Sequence, residues 1–248
     1  MNFFTGIIQP FLNLLFPGRC LICGRELENS DFICLCLRCS VKICRPAPGP
    51  LCMHCSHPLE QGRCPSCIIG RFDPLWFRLN VSFGLYQGEY KKLLYIYKFQ
   101  KQISLARPLA VTACKHYYDF FRAFDCFIPV PCSPERKRER EFCQAEEFTR
   151  QISRICGKPL LPAIGKHSSV FRAQHKKNFS DRLSTAHQDF YLKEKFLKQI
   201  KGKKLLLFDD IFTTGSTANA CARLLTAGNG QIGVFTLART VKERPEEK

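Results

Sequence analysis

Thirteen residues, Leu205 to Thr217 (LLLFDDIFTTGST), constrain the fold of this 248-residue chain more than any other stretch. Leu205 to Phe208 are uniformly apolar and read as a short strand buried on both faces, the pattern of a parallel sheet. The strand is expected to end on two adjacent carboxylates, Asp209 and Asp210. Thr213, Thr214, Gly215, Ser216 and Thr217 then supply hydroxyls and one glycine before a helix-forming run from Ala218 to Leu225. A helix start carries unpartnered N–H groups and the positive end of the macrodipole, so an anion docks there. Gly215 lets the backbone approach a ligand closely.

The GxxxxGK[ST] loop of nucleoside triphosphatases would need a lysine here, and none is present. Two side-by-side acids suit ribose hydroxyls instead, held directly or through Mg²⁺. The stretch resembles the phosphoribosyl pyrophosphate (PRPP) motif of type I phosphoribosyltransferases, with Phe212 where a smaller aliphatic is usual. The competing reading is a pair of acids at a strand end in some other doubly wound fold.

Ten of the sixteen cysteines lie between Cys20 and Cys67, eight of them in four C-x-x-C pairs: Cys20 with Cys23, Cys36 with Cys39, Cys52 with Cys55, and Cys64 with Cys67. Two such turns complete one tetrahedral thiolate site, so about two structural Zn²⁺ ions are expected, paired sequentially because the loops are short. The segment is too short and polar for a core of its own. A redox-active C-x-x-C is the rival, without the βαβ pattern that usually precedes it. Cys34 and Cys44 are left over, and Cys34 competes with Cys36 for one corner.

The first residues show no basic n-region or cleavage site and no apolar run is long enough to span a bilayer, so a cytoplasmic location is expected. There clustered cysteines bind metal rather than pair as disulfides. Phe3 to Leu15 recur at helical spacing before Pro17, as a short amphipathic helix would. Two domains are expected, 1–70 and 71–248. The net charge of +17 is uneven: residues 1–70 hold six basic and four acidic side chains, leaving 32 and 17 beyond. A polyanionic partner would meet the second part.

That second part reads as α/β. Leu79 to Leu85 form a strand, and Tyr90, Leu93, Leu94 and Tyr97 line one helix face. A helix over 106–121 precedes a buried strand, 125–131. Glu135 to Glu141 reads as a solvated helical face, opening a long helix to about Arg154. A strand over 160–164 follows. Residues 165–187 are polar and basic, a loop of the kind that closes over a phosphate-bearing ligand. Residues 192–204 hold six lysines and one glutamate, and a final strand spans 232–237.

With four C-x-x-C pairs ahead of the PRPP motif, nearly the whole chain resembles the ComF family of the ComFC type, linked to natural competence. Pro17-x-x-Cys20-x-x-Cys23 is similar to the family's opening, and Tyr86 through Lys98-Phe99 to its Y…K-Y/F segment. Arg140-Glu141-Phe142-Cys143-Gln144-Ala145 resembles its R-G-F-N-Q-A, departing at Glu141 and Cys143. Gln174 and Arg182 keep a family spacing, whereas Phe171, Lys177, Thr185 and Gln188 depart. The resemblance implies a type I phosphoribosyltransferase fold, a role in handling transforming single-stranded DNA, and other competence proteins as partners. The inner face of the membrane, beside the uptake machinery, is the alternative location. By family position Lys98, Arg138, Arg140 and Arg182 would contact pyrophosphate.

Three functions compete. In an enzyme, Asp209 and Asp210 hold ribose, the loop holds the 5′-phosphate, and Mg²⁺ with basic groups stabilises the leaving pyrophosphate. In a single-stranded DNA-binding protein, Lys166, Arg172, Lys176, Lys177, Lys203 and Lys204 neutralise phosphates while tyrosines such as Tyr90, Tyr95 and Tyr97 stack bases. In an interaction protein the ribbons dock a partner and the second domain is inert.

Overall fold

A computed structural model describes residues 18–27, 35–43, 45–65, 67, 74–168 and 189–241. The apolar stretch Phe3 to Leu15, Cys34, Cys44, the family positions Phe171, Gln174, Thr185 and Gln188, and the candidates Arg172, Lys176, Lys177 and Arg182 lie outside the described residues, as does the tail from Glu243.

Four parallel strands form the central sheet: β1 (Leu79–Leu85), β2 (Cys126–Pro129), β5 (Lys204–Phe212) and β6 (Gln231–Arg239), in the order β1-β6-β5-β2. A small antiparallel pair, β3 (Ile164–Lys166) and β4 (Phe190–Leu192), stands apart. The strand expected over 160–164 is reduced to one parallel bridge, Leu160 beside Phe127, and the ladder starts only at Ile164.

The strands alternate their contacts between two apolar clusters, as a sheet buried on both faces must. Leu206 and Phe208 join Phe127, Phe148 and Phe235 on one side. There α2 (Gly88–Phe99), α3 (Ala106–Arg122) and α5 (Gln144–Cys156) pack. Leu205 and Leu207 face the other side, with Val234, α6 (Leu197–Ile200) and α7 (Ser216–Leu225).

The run expected as one long helix is two, α4 (Pro134–Arg140) and α5, because Glu141 adopts a left-handed conformation at φ 69° and ends α4. Glycine is the residue that takes such an angle without a Cβ clash. An ion pair with Lys101 accompanies Glu141 there.

The cysteine-rich segment includes α1 (Leu37–Ile43) and packs on the sheet rather than beside it. Cys20, Ile22, Leu35, Cys36, Cys39 and Ile43 enter the first apolar cluster, whereas Cys52 and Cys55 enter the second. Backbone bonds join it to the β1 edge: Ala47 N–H donates to the Phe83 carbonyl at 2.9 Å and Asn80 N–H to the Met53 carbonyl at 2.8 Å. Buried Ser56 reinforces this, its hydroxyl donating to the Asn80 carbonyl and accepting from Ser82 N–H, both at 2.8 Å.

Candidate functional site

The strand carrying the two acids does not stop at them. β5 continues through Phe212, with Asp209 opposite Thr236 and Phe212 opposite Arg239, because β6 offers pairing partners that far. Buried Arg239 then secures the exit of the strand. Its Nη1 donates to the carbonyls of Phe212 and Thr213, and its guanidinium lies 5.3 Å from the centre of the Phe212 ring. Gly215, at φ 85°, provides the left-handed turn into α7. Thr214 Oγ1 and Ser216 Oγ lie 2.9 Å apart across that turn.

Asp209, Asp210 and Thr217 line a cleft of about 300 Å³ together with Lys98, Phe99, Arg136, Arg140 and Lys166. It lies past the carboxyl ends of β2 and β5, with Val130, Pro131 and Cys132 forming its wall. After β2 the chain pairs outward at Leu160, whereas after β5 it pairs on the opposite side with β6. Connections that diverge in this way leave a crevice where ligands of open α/β sheets bind.

Lys98 Nζ pairs with Asp210 Oδ2 at 2.7 Å, both side chains largely shielded. Desolvation, then the adjacent Asp210 charge, raise the Asp209 carboxyl to about 7 despite a hydrogen bond from Asp210 N–H and the nearby Lys98 and Lys166. Arg140 is held over the Phe99 ring at 4.7 Å, and its Nη1 donates to Gln144 Oε1 at 3.3 Å. Gln144 is fixed in turn, its Nε2 donating to the Lys98 carbonyl and its own carbonyl accepting from Tyr97. Cys132 and Cys143 also line the cleft. A hydrogen bond from Cys143, outweighing burial and helped by Lys137, lowers the Cys132 thiol to about 7.

The structure thus brings together Asp209, Asp210, Thr217, Lys98 and Arg140, and adds Lys166, which the charge pattern had grouped with the DNA-binding candidates. Thr213 and Thr214 are exposed in the loop, Ser216 is partly exposed, and Arg138 is exposed on α4 away from the cleft lining. Arg136 was missed. Its signal was the four-residue spacing to Arg140, which places both on one side of a helix. Lys203 and Lys204 sit at the opposite end of β5, roughly 17 Å from Asp209 at about 3.3 Å per residue.

Two thiol clusters lie in the N-terminal segment. The Sγ atoms of Cys20, Cys23, Cys36 and Cys39 are all within 4.8 Å of one another, and so are those of Cys52, Cys64 and Cys67. Cys55 Sγ is 3.5 Å from Cys64 Sγ and so adjoins the second group. Both groups open with the same tight hairpin: Cys20 N–H donates to the Arg25 carbonyl and Cys52 N–H to the His57 carbonyl. Burial raises the Cys20 thiol, but N–H donors from Cys23, Cys36 and Ile22 prevail and bring it down to about 6. For Cys52 the donors of His54 and Cys55 outweigh burial in the same way. The four convergent sulfurs of the first cluster fit a tetrahedral thiophilic ion, the second brings three together with Cys55 beside Cys64, and zinc is consistent with both clusters.

These features define an α/β protein with a charged cleft at the carboxyl edge of a parallel sheet and two cysteine clusters docked on that sheet. No family model matches the chain. It is 29% identical over 232 residues to Competence protein F of Haemophilus influenzae, covering 90% of this chain and 98% of that protein. It is 28% identical over 239 residues to Competence protein ComFC of Streptococcus pneumoniae, covering 89% and 100%. It is also 26% identical over 248 residues to DNA utilization protein YhgH of Shigella flexneri, covering 92% and 100%. Over nearly its whole length the chain is therefore similar to competence proteins of the ComF/ComFC type.

Proposed function

We propose that this protein works in natural competence as a PRPP- or ribose 5-phosphate-binding protein of type I phosphoribosyltransferase architecture that also binds the single-stranded DNA being taken up. The observation that carries the reading is the convergence of Asp209, Asp210 and Thr217 with Lys98, Arg136, Arg140 and Lys166 in one cleft. Carboxylates flanked by cations suit a ligand bearing hydroxyls and phosphates, and Mg²⁺ would bridge the acids to it through oxygen. Thr213 to Thr217 would seat the 5′-phosphate at the start of α7, where N–H groups are free of helical partners. The names of the similar proteins, two of competence and one of DNA utilization, support the DNA role. Competence proteins of the uptake machinery are the corresponding partners. Among the described residues no helix is long and apolar enough to cross a membrane.

The second reading is an active transferase on a small-molecule acceptor with no DNA role. The depth of the acid pair in a shielded, cation-lined cleft favours it, because phosphoribosyl transfer depends on positioned charge around a leaving pyrophosphate.

Salt titration of single-stranded DNA binding separates the two. Log affinity is expected to fall with log salt at roughly −0.7 per neutralised phosphate. Reversing Lys176, Lys177, Lys203 and Lys204 to glutamate should weaken binding to every sequence alike and flatten the slope. Binding indifferent to salt and to these reversals would overturn the electrostatic account. No binding at all would leave the small-molecule transferase.

A further inference from the structure

Two large aromatic side chains stand in solvent beside the cleft. Tyr95 is 52% exposed and Phe99 49%, and both project from α2 four residues apart. Their ring centres are 4.9 Å apart and the planes are inclined by 39°. Exposing that much aromatic surface is unfavourable unless something covers it. The tyrosines on the other side of the helix are accounted for, since Tyr90 and Tyr97 are buried and donate to the carbonyls of Leu237 and Gln144. Phe99 forms part of the cleft lining itself, which it shares with Lys98, Arg136 and Lys166, and has the Arg140 guanidinium at 4.7 Å from its ring centre.

We infer that Tyr95 and Phe99 form a stacking platform for an unpaired nucleobase of single-stranded DNA whose backbone phosphate is held by the cations of the adjoining cleft. The inference rests on the DNA-binding reading and gives it a location. A π-face with a guanidinium beside it accepts any base, because every base has a face to stack. The flanking cations exclude an acceptor that is only apolar, and charge complementarity selects a phosphate-bearing one. The strand would run across the end of α2, with a base on Phe99 and its neighbour on Tyr95.

The full-length protein is titrated with a fluorescent oligothymidylate and with an abasic strand of equal length and charge. Tyr95→Ala is the cleaner variant, because Tyr95 lies outside the cleft lining, and Phe99→Trp enlarges the stacking face without removing it. Tyr95→Ala should weaken oligothymidylate binding about 5- to 100-fold, the range expected for one stacked base. It should leave the abasic strand and the thermal melting curve unchanged, whereas Phe99→Trp should retain or tighten oligothymidylate binding. Equal affinity of the wild-type protein for the two strands, or a Tyr95→Ala loss shared by both, would overturn the platform while leaving an electrostatic DNA site intact. Failure of the wild-type protein to bind either strand would remove the DNA-binding reading itself, and the platform with it.

Discussion

Asp209 occupies a position that is poor for charge. It is shielded from water and adjoins a second carboxylate, so its proton is held up to about 7. An acid whose proton is held more tightly in the folded state lowers folding stability increasingly as pH rises from the unfolded value near 4 to the folded value near 7, beyond which the loss is constant. Asp209→Asn keeps an oxygen to accept the Asp210 N–H and removes the charge. It should therefore stabilise the fold by about 1–3 kcal/mol at pH 8, with the gain shrinking towards pH 4. Denaturant melts across that range would check it, and a gain that grows on acidification would contradict the assignment. Under the proposed function such a cost would be tolerated, because a ligand bearing ribose hydroxyls and Mg²⁺ would need the charge. The acids and Gly215 were legible from their own chemistry, and Lys98 and Arg140 from the family resemblance. Arg136 was reachable only through its four-residue spacing to Arg140, and Lys166 was not assigned to the cleft, because a cation in a basic stretch carries no local sign of which way it faces until the elements are packed.

Among the elements, β1, α2 and α3 lie close to where hydrophobic spacing placed them, since their apolar faces pack on a single cluster. The break between α4 and α5 was hidden, because Glu141 is an ordinary helix former and nothing in its side chain announces φ 69°. Glu141→Gly should leave stability unchanged or raise it by up to ~1 kcal/mol, whereas the β-branched Glu141→Val should cost ~1–2 kcal/mol. The reverse order in thermal unfolding would show that the Lys101 ion pair outweighs the backbone. The tie between the second cysteine hairpin and β1 was also illegible, since it runs through the Met53 carbonyl and the Ser56 hydroxyl, which no sequence pattern marks. Ser56→Ala leaves the buried Ser82 N–H without its acceptor and should cost about 1–3 kcal/mol. Hydrogen exchange should then quicken at β1, and an unchanged exchange rate there would disprove the clamp.

At the scale of the molecule, the two cysteine clusters contribute to opposite faces of one sheet, so the cysteine-rich segment and the α/β sheet share their cores. Chelation should consequently lower the unfolding temperature of the whole protein as well as loosen the hairpins. A chelated protein whose sheet melts unchanged would show the segment to be an independent appendage. In the cleft a pair of acids, Thr217 and four cations converge. The most direct test is calorimetric titration of PRPP into the wild-type protein and into the Asp209→Ala, Asp210→Ala double variant, each with and without Mg²⁺. Binding by the wild type that requires Mg²⁺, reduced at least tenfold in the double variant, or by about 1.4 kcal/mol, is the result expected. Equal affinity in the two proteins, or no PRPP binding by either, would contradict it.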